Sequence, residues 1–210
     1  MVNEGTTRQL AAMATFTDST VLPLTGTTAT WSVGSGALAS VSSTGLATAA
    51  TVYQDTNGIA RADYLGQFGT LTLSVLNVSN DDFGSYAGDG IDDAWQVQYF
   101  GIGNASAAAT ADPDGDGQNN LFEYLAGTNP TSSGSAFALG VTGSSEQRTV
   151  TLAPVITGRT YTLEFTTNLT TRVFGTLLGG TTVDSSGTRA VTDATTTNSA
   201  RYYRVKITLP

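Results

Sequence analysis

Between Arg61 and Arg148 the chain has no lysine or arginine, yet Asp81, Asp82, Asp89, Asp92, Asp93, Asp112, Asp114, Asp116 and Glu123 all fall within that stretch. Carboxylates at this density repel one another, so a folded segment of this composition calls for multivalent cations to offset them. The spacing is more specific than the composition. In Asp112-Pro-Asp114-Gly-Asp116-Gly117-Gln118-Asn-Asn120-Leu-Phe-Glu123, carboxylates stand at positions one, three and five of a twelve-residue loop and glycine at six. Gln118 at seven offers a backbone carbonyl, Asn120 at nine a polar side chain, and Glu123 at twelve both of its oxygens. A tight loop brings alternating side chains onto one point only where a glycine allows the sharp turn. Hard cations such as calcium take about 6–8 oxygen ligands in this way. The pattern therefore predicts a Ca2+ site of the EF-hand type, with Leu121, Phe122, Tyr124 and Leu125 on a short helix that Gly127 ends.

A weaker loop lies upstream. Aligned on Gly90, it has Asp89 at five, Ile91 offering a carbonyl at seven, Asp93 at nine and Gln96 at twelve, but Ser85 and Ala87 at one and three. Asp81 and Asp82 are the acids that could fold back to supply the missing carboxylates. The alternative is a degenerate loop kept for the helix that follows it, Ala94 to Phe100, closed by Gly101.

Other chemistry is largely excluded. The chain has no histidine and no cysteine, which removes Ser-His-Asp and Cys-His nucleophile systems and zinc sites built on imidazole or thiolate. The only dense acids are those whose spacing assigns them to cations, so carboxylate-pair hydrolysis has no candidates and the chain reads as a non-enzyme. The net charge of −8 and the scattered bases leave no footprint for nucleic acid. No apolar run approaches the roughly 18 residues that span a bilayer, so no membrane insertion is expected. Met1-Val2-Asn3-Glu4 has neither the basic start nor the apolar run of a signal peptide; an exported protein would then hold this chain as a processed form or a fragment.

The elements flanking the acidic stretch read as β. Leu71, Leu73 and Val75 alternate with Thr70, Thr72 and Ser74. Leu10, Ala12, Ala14 and Phe16 form a similar face, and Trp31, Val33, Val41 and Leu46 supply further bulk. Asp18-Ser19, Asn57-Gly58 and Gly66-Gln67 read as turns. Beyond the acids, Tyr161, Leu163 and Phe165 alternate with threonines and Glu164, and Tyr203, Val205, Ile207 and Leu209 form the inner face of the last strand. Gly158, Gly179-Gly180 and Ser186-Gly187 supply the breaks. The expected fold is mostly β: two β-sandwich, Ig-like domains at 1–79 and 133–210, joined by a calcium-binding loop-helix linker at 80–132.

Three stretches carry resemblances. Gly88-Asp-Gly-Ile-Asp-Asp-Ala-Trp-Gln-Val-Gln-Tyr-Phe-Gly101 and Asp112-Pro-Asp-Gly-Asp-Gly-Gln-Asn-Asn-Leu-Phe-Glu-Tyr-Leu-Ala-Gly-Thr-Asn-Pro130 resemble the paired loops of bacterial thrombospondin type 3 and dockerin-like calcium repeats. Val2-Asn-Glu-Gly-Thr-Thr7, with Ala29-Thr-Trp-Ser32 and Gly45-Leu-Ala-Thr48, resembles a bacterial immunoglobulin-like domain of group 2. Gly158-Arg-Thr-Tyr-Thr-Leu-Glu-Phe-Thr-Thr-Asn-Leu169, with Ala200-Arg-Tyr-Tyr-Arg-Val205, is similar to the fibronectin type III-like sandwich that often follows such repeats. The resemblance implies a secreted or cell-surface bacterial protein.

The resulting expectation is a calcium-stabilised structural or adhesive module whose partners are calcium, adjoining domains and other copies of itself. In the group 2 domains a strand precedes the Asn-Glu-Gly motif, which here opens the chain; a strand donated by another copy would fill that place and could propagate head to tail into a filament. The alternative is a carbohydrate-binding accessory module of a polysaccharide-degrading enzyme, with Tyr53, Tyr64, Tyr161 and Tyr202 as sugar-stacking candidates. The sole lysine, Lys206, alternates with the buried set of the last strand and should face solvent.

Overall fold

The computed structural model describes residues 1–194 and 200–210. The chain is predominantly β, in several separate sheets, with two short α-helices among the described residues. It forms two compact units, Met1–Ala107 and Ala108–Pro210. The acid-rich stretch is shared between them, Asp81 to Asp93 in the first and Asp112 to Glu123 in the second. Among the described residues no helix is long and apolar enough to cross a membrane.

The first unit contains β1 (Val2–Asn3), β2 (Thr7–Gln9), β3 (Ala12–Thr15), β4 (Val21–Leu24), β5 (Thr30–Gly36), β6 (Leu38–Val41), β7 (Leu46–Ala49), β8 (Thr56–Tyr64), β9 (Gln67–Leu76) and helix α1 (Asp93–Phe100). They form a four-stranded sheet in the order β1-β9-β8-β5, a three-stranded sheet β2-β7-β6 and the hairpin β3-β4. The longest pairing, β8 with β9, closes through Leu65 and Gly66, both at positive φ (49° and 78°), as the favoured two-residue hairpin turn requires. The core gathers Val2, Leu10, Leu38, Ala47, Ala49, Val52, Ala60, Leu73 and Val75, with Trp31 and Val41 against it.

Several expected core residues lie outside this cluster. Leu46 is exposed because β7 buries Ala47 and Ala49, and a strand that turns those inward must turn its neighbour outward. Val33, Phe16 and Leu71 are also exposed. In β9 the alternation is present, but the strand reaches the core only from Leu73 onward. Asn57-Gly58 is not a turn. It lies inside β8, where glycine is needed because a Cβ at Gly58 would stand 2.6 Å from Leu38 Cγ.

The second unit contains helix α2 (Asn120–Ala126) and strands β10 (Ala138–Gly143), β11 (Arg148–Ala153), β12 (Thr160–Thr166), β13 (Gly175–Thr176), β14 (Thr181–Ser185), β15 (Thr188–Asp193) and β16 (Tyr202–Thr208). Two sheets run in the orders β10-β11-β15-β14 and β13-β12-β16. Ser186 and Gly187, again both at positive φ, close the β14-β15 hairpin. One cluster packs Ala126, Phe122 and Leu125 of α2 against Phe137, Leu152, Tyr161, Val205 and Ile207, and a second holds Val150, Leu163 and Val191 with Leu177 and Tyr203. Apolar side chains buried in this way contribute about 1.5–3 kcal/mol each. On β16, Tyr203, Val205 and Ile207 face inward, while Lys206 is exposed. The α2 helix is thereby fixed to the sheets by its apolar residues, and Glu123 is buried on the same helix.

Candidate metal centres

In the second unit, the loop that feeds α2 is folded by its own carboxylates. Asp112 accepts the Gly115 amide through Oδ1 and the Gly117 amide through Oδ2, each at 2.9 Å. Asp114 Oδ1 accepts from Asp116 N at 3.3 Å, and Asp116 Oδ1 accepts from Gln118 N at 2.8 Å. These bonds need the chain to reverse within a few residues. Gly115 and Gly117 supply the reversals at φ 76° and 91°, in open space that a side chain could occupy but a backbone of this hand disfavours. Asn119 caps α2 by accepting from Phe122 N, and Gly127 ends the helix in the left-handed conformation.

The result brings ligand oxygens of Asp112, Asp114 and Asp116 within 4.8 Å of one another. Each of Asp114 and Asp116 spends one oxygen on the backbone, and its Oδ2 is buried with no hydrogen-bond partner among the described residues. Glu123 is wholly buried on α2. Thr128 Oγ1 donates to its Oε1 at 3.2 Å, and its Oε2 is also without a partner. Burial pushes the Glu123 carboxyl up to about 7; the Thr128 hydrogen bond opposes this, and Asp114, Asp116 and Asp112 add to it. Buried acceptors without donors are costly unless a cation or proton supplies the missing charge. An all-oxygen, anionic set of this kind can hold a hard cation.

Two sequence-expected ligands are placed differently from one another. The Gln118 side chain is committed elsewhere, donating to Phe137 O and accepting from Phe137 N, so only its backbone carbonyl is left to the loop. Asn120 is buried on the first turn of α2 and donates through Nδ2 to Ala108 O.

The upstream loop, in the first unit, has the same local design. Gly88 and Gly90 stand at φ 79° and 87°, close to the values at Gly115 and Gly117, and Asp92 caps α1 as Asn119 caps α2. The backbone donors that Asp112 serves downstream are served here by Asp81, whose Oδ1 accepts from Gly88 N at 2.6 Å and Asp89 N at 3.2 Å and whose Oδ2 accepts from Gly90 N at 2.9 Å. Asp89 accepts Ile91 N through Oδ1 and the Gln96 amide through Oδ2. The Ile91 side chain is fully buried core, which leaves its backbone as its only polar contribution. Asp93 is fully buried and accepts from the amides of Asp82 and Phe83 through Oδ2, both at 2.8 Å. Its carboxyl is pushed up by burial, partly countered by those two bonds, with Asp81 and Asp82 adding to the rise.

Of the aromatic sugar-stacking candidates, Tyr202 is 42% exposed. Tyr161 is structural, stacked on Phe137 with its hydroxyl accepting from Ile156 N, and Tyr53 packs edge-on against Phe83. Sequence reading assigns no role to the buried polar residues Glu4 and Thr128, although each lies within a stretch that carries a resemblance. Comparison with known proteins returns no matching family model, curated relative or solved structure.

Proposed function

We propose that this chain is a calcium-stabilised, non-enzymatic structural module of an extracellular or cell-surface protein, built from two small β-sandwiches in which the 112–123 loop acts as an EF-hand-like cation site. The observation that carries this reading is the buried, partnerless oxygens of Asp114, Asp116 and Glu123, next to an aspartate cluster in a stretch without a single basic residue. Asp112, Asp114, Asp116, Glu123, the Gln118 carbonyl and Asn120 would hold the ion. Calcium supplies the positive charge that these oxygens lack and thereby links the loop, α2 and the sheets beneath it. Such binding adds about 2.7 kcal/mol to stability when free calcium is a hundredfold above its dissociation constant. A millimolar extracellular supply maintains that excess more readily than the cytosol, which is the argument for export.

Calcium titration of the metal-free chain by calorimetry, followed by thermal unfolding in calcium and in chelator, tests the proposal. Saturable binding with a matching rise in melting temperature is the expected result. No binding at millimolar calcium would overturn it.

A further inference from the structure

Two strand edges are left open without the usual safeguards. β1 pairs with β9 only at Val75 and Leu76, so from Gln67 to Ser74 the outer side of β9 has no backbone partner among the described residues. Glu4 N donates to Leu76 O on that side, and strand alternation turns the amides and carbonyls of Ser74, Thr72, Thr70 and Phe68 the same way. In the second unit β10 is an edge strand. Its outer side is closed at Phe137, whose N and O are both bonded by the Gln118 side chain, and lies open beyond it at Leu139, Val141 and Gly143. Neither β9 nor β10 contains a charged residue or a proline. Other edges are blunted: β4 by Pro23, β5 and β6 by register shifts, β14 by Asp184, and β16 by Arg204 and Lys206.

The same two edges leave inward-facing apolar residues uncovered. Leu71 stands opposite buried Ala60, on the face that carries buried Leu73 and Val75, yet it is exposed. Gly69 is next on that face, and a Cβ there would meet nothing within 4 Å. Both border a cleft of about 410 Å³ that Trp31, Ala60, Ala62 and Phe16 also line. On β10, Leu139 and Val141 stand opposite buried Leu152 and Val150 and are themselves exposed. The charges around the two edges are of opposite sign. Of the chain's nine lysines and arginines only Arg8 and Arg61 lie in the acidic first unit, while residues 133–210 hold all the rest against only Glu146, Glu164, Asp184 and Asp193.

We propose that β9 of one copy of this chain pairs with β10 of the next, in the parallel direction in which β1 already pairs with β9. Parallel pairing is what brings the two inward faces to the same side. On β9 the residues that bond outward carry their side chains on the outer face, whereas on β10 they carry them on the inner face. A parallel ladder sets each such residue opposite one that bonds the other way, which matches inner face to inner face. With Leu139 beside Gly69, Val141 beside Leu71 and Gly143 beside Leu73, the incoming strand stops short of Val75, where β1 takes over, and Leu139 fills the gap that Gly69 leaves at the cleft. Opposite charge favours first unit against second over first against first. No strand leaves its own sheet, so this is edge pairing rather than the donated strand expected from the sequence. Each copy uses two different surfaces, so the contact propagates head to tail. It does not rest on the cation reading.

Sedimentation velocity of the full chain over a concentration series, in calcium, tests the pairing. The parent is expected to form oligomers larger than dimers that grow with concentration. Thr70→Pro removes an outward amide that the chain itself does not use, and Val141→Lys places a charge on the β10 edge. Each variant blocks one edge and should be monomeric. Mixed in equal amounts they should form a dimer and nothing longer, because each keeps the edge that the other has lost. A parent that stays monomeric throughout, or a mixture that stays monomeric, overturns the proposal. Oligomers of Val141→Lys alone would show β9 pairing with something other than β10 and overturn it too. Should Thr70→Pro fail to fold, Gly69→Glu decides: its side chain has open space within the chain and obstructs only the seat of Leu139, so oligomers as large as the parent's would refute the pairing.

Discussion

Thr128 Oγ1 donates to Glu123 Oε1 at 3.2 Å, and among the described residues it is the only side-chain donor offered to a carboxylate that is wholly buried beside three aspartates. The arrangement makes the effect of removing the charge depend on calcium. Glu123→Gln deletes a buried charge that the metal-free protein must accommodate, so it should raise the melting temperature in chelator at neutral pH. In calcium the same change removes a ligand and should lower it, by up to the ~2.7 kcal/mol that saturating calcium contributes. Paired thermal unfolding experiments read both signs. A shift in the same direction in both conditions contradicts the ligand role.

The pH dependence follows from the same group. With the folded-state carboxyl raised from 4.5 to about 7, the protonated form favours folding, and its contribution is complete below 4.5 and lost as pH rises through about 7. Asp82 and Asp93 are raised as well, mainly by burial, and act in the same direction in the first unit. In chelator, stability should therefore decline as pH rises from 4.5 to beyond about 7, by something on the order of 3 kcal/mol from Glu123. In saturating calcium that decline should disappear, because the ion replaces the proton. Urea midpoints across this range, with and without chelator, check the sign. A metal-free protein that gains stability with rising pH would refute it.

The acidic loops were legible in the sequence because ligand spacing and glycine placement are local. Asp112, Asp114 and Asp116 are close in the chain and close in space, and the caps and ends of α1 and α2 fall near the residues that periodicity indicated. The core of the first unit was less legible. Leu46 was expected inside and Ala47 and Ala49 are there instead, since strand alternation fixes which residues share a face but not which face meets the core. Asn57-Gly58 carried a turn signature, yet Gly58 answers a contact with Leu38 from a different strand, which no local pattern records. The role of Glu4 was invisible for the same reason: its partners Val52, Val78 and Ser79 are brought to it by tertiary structure.

Arg159 ties the end of α2 to the sheet residues that follow it. Its Nε donates to Leu125 O at 2.6 Å and its NH2 group to Tyr124 O at 3.0 Å, so one guanidinium satisfies two carbonyls that the helix leaves unpaired. Arg159→Ala should lower stability by about 1–2 kcal/mol, and Arg159→Lys should recover only part of that because an ammonium cannot span both acceptors in one plane. Gly127→Ala should cost at least as much. The residue stands at φ 77°, and a Cβ there would meet Ile156 Cδ1 at 2.6 Å and Arg159 Cζ at 2.9 Å. Chemical denaturation in chelator isolates these effects from cation binding, and an Arg159→Ala protein of unchanged stability would show the cap to be dispensable.

Glu4 is the counterpart in the first unit. Its carboxylate is buried, and it accepts three backbone hydrogen bonds: Oε2 from Val52 N at 3.0 Å, and Oε1 from Val78 N at 2.6 Å and Ser79 N at 3.0 Å. One side chain near the start of the chain thus holds the loop before β8 and the segment leaving β9, just ahead of Asp81. Glu4→Ala would strand the Val52 and Val78 amides, while Ser79 N keeps its second acceptor, Asn77 Oδ1 at 3.2 Å; amides without acceptors cost about 1–3 kcal/mol each where water cannot replace the carboxylate. A loss of about 3 kcal/mol or more is expected. Glu4→Gln should lose less, about 1.5–3 kcal/mol, because its amide oxygen can still accept on one side while its NH2 group faces a donor on the other. None of the three donors belongs to a cation loop, so both losses should be present in full in chelator. Urea unfolding of the two variants in chelator checks the order. If Glu4→Gln were as damaging as Glu4→Ala, the carboxylate's role would be its charge rather than its three acceptor bonds.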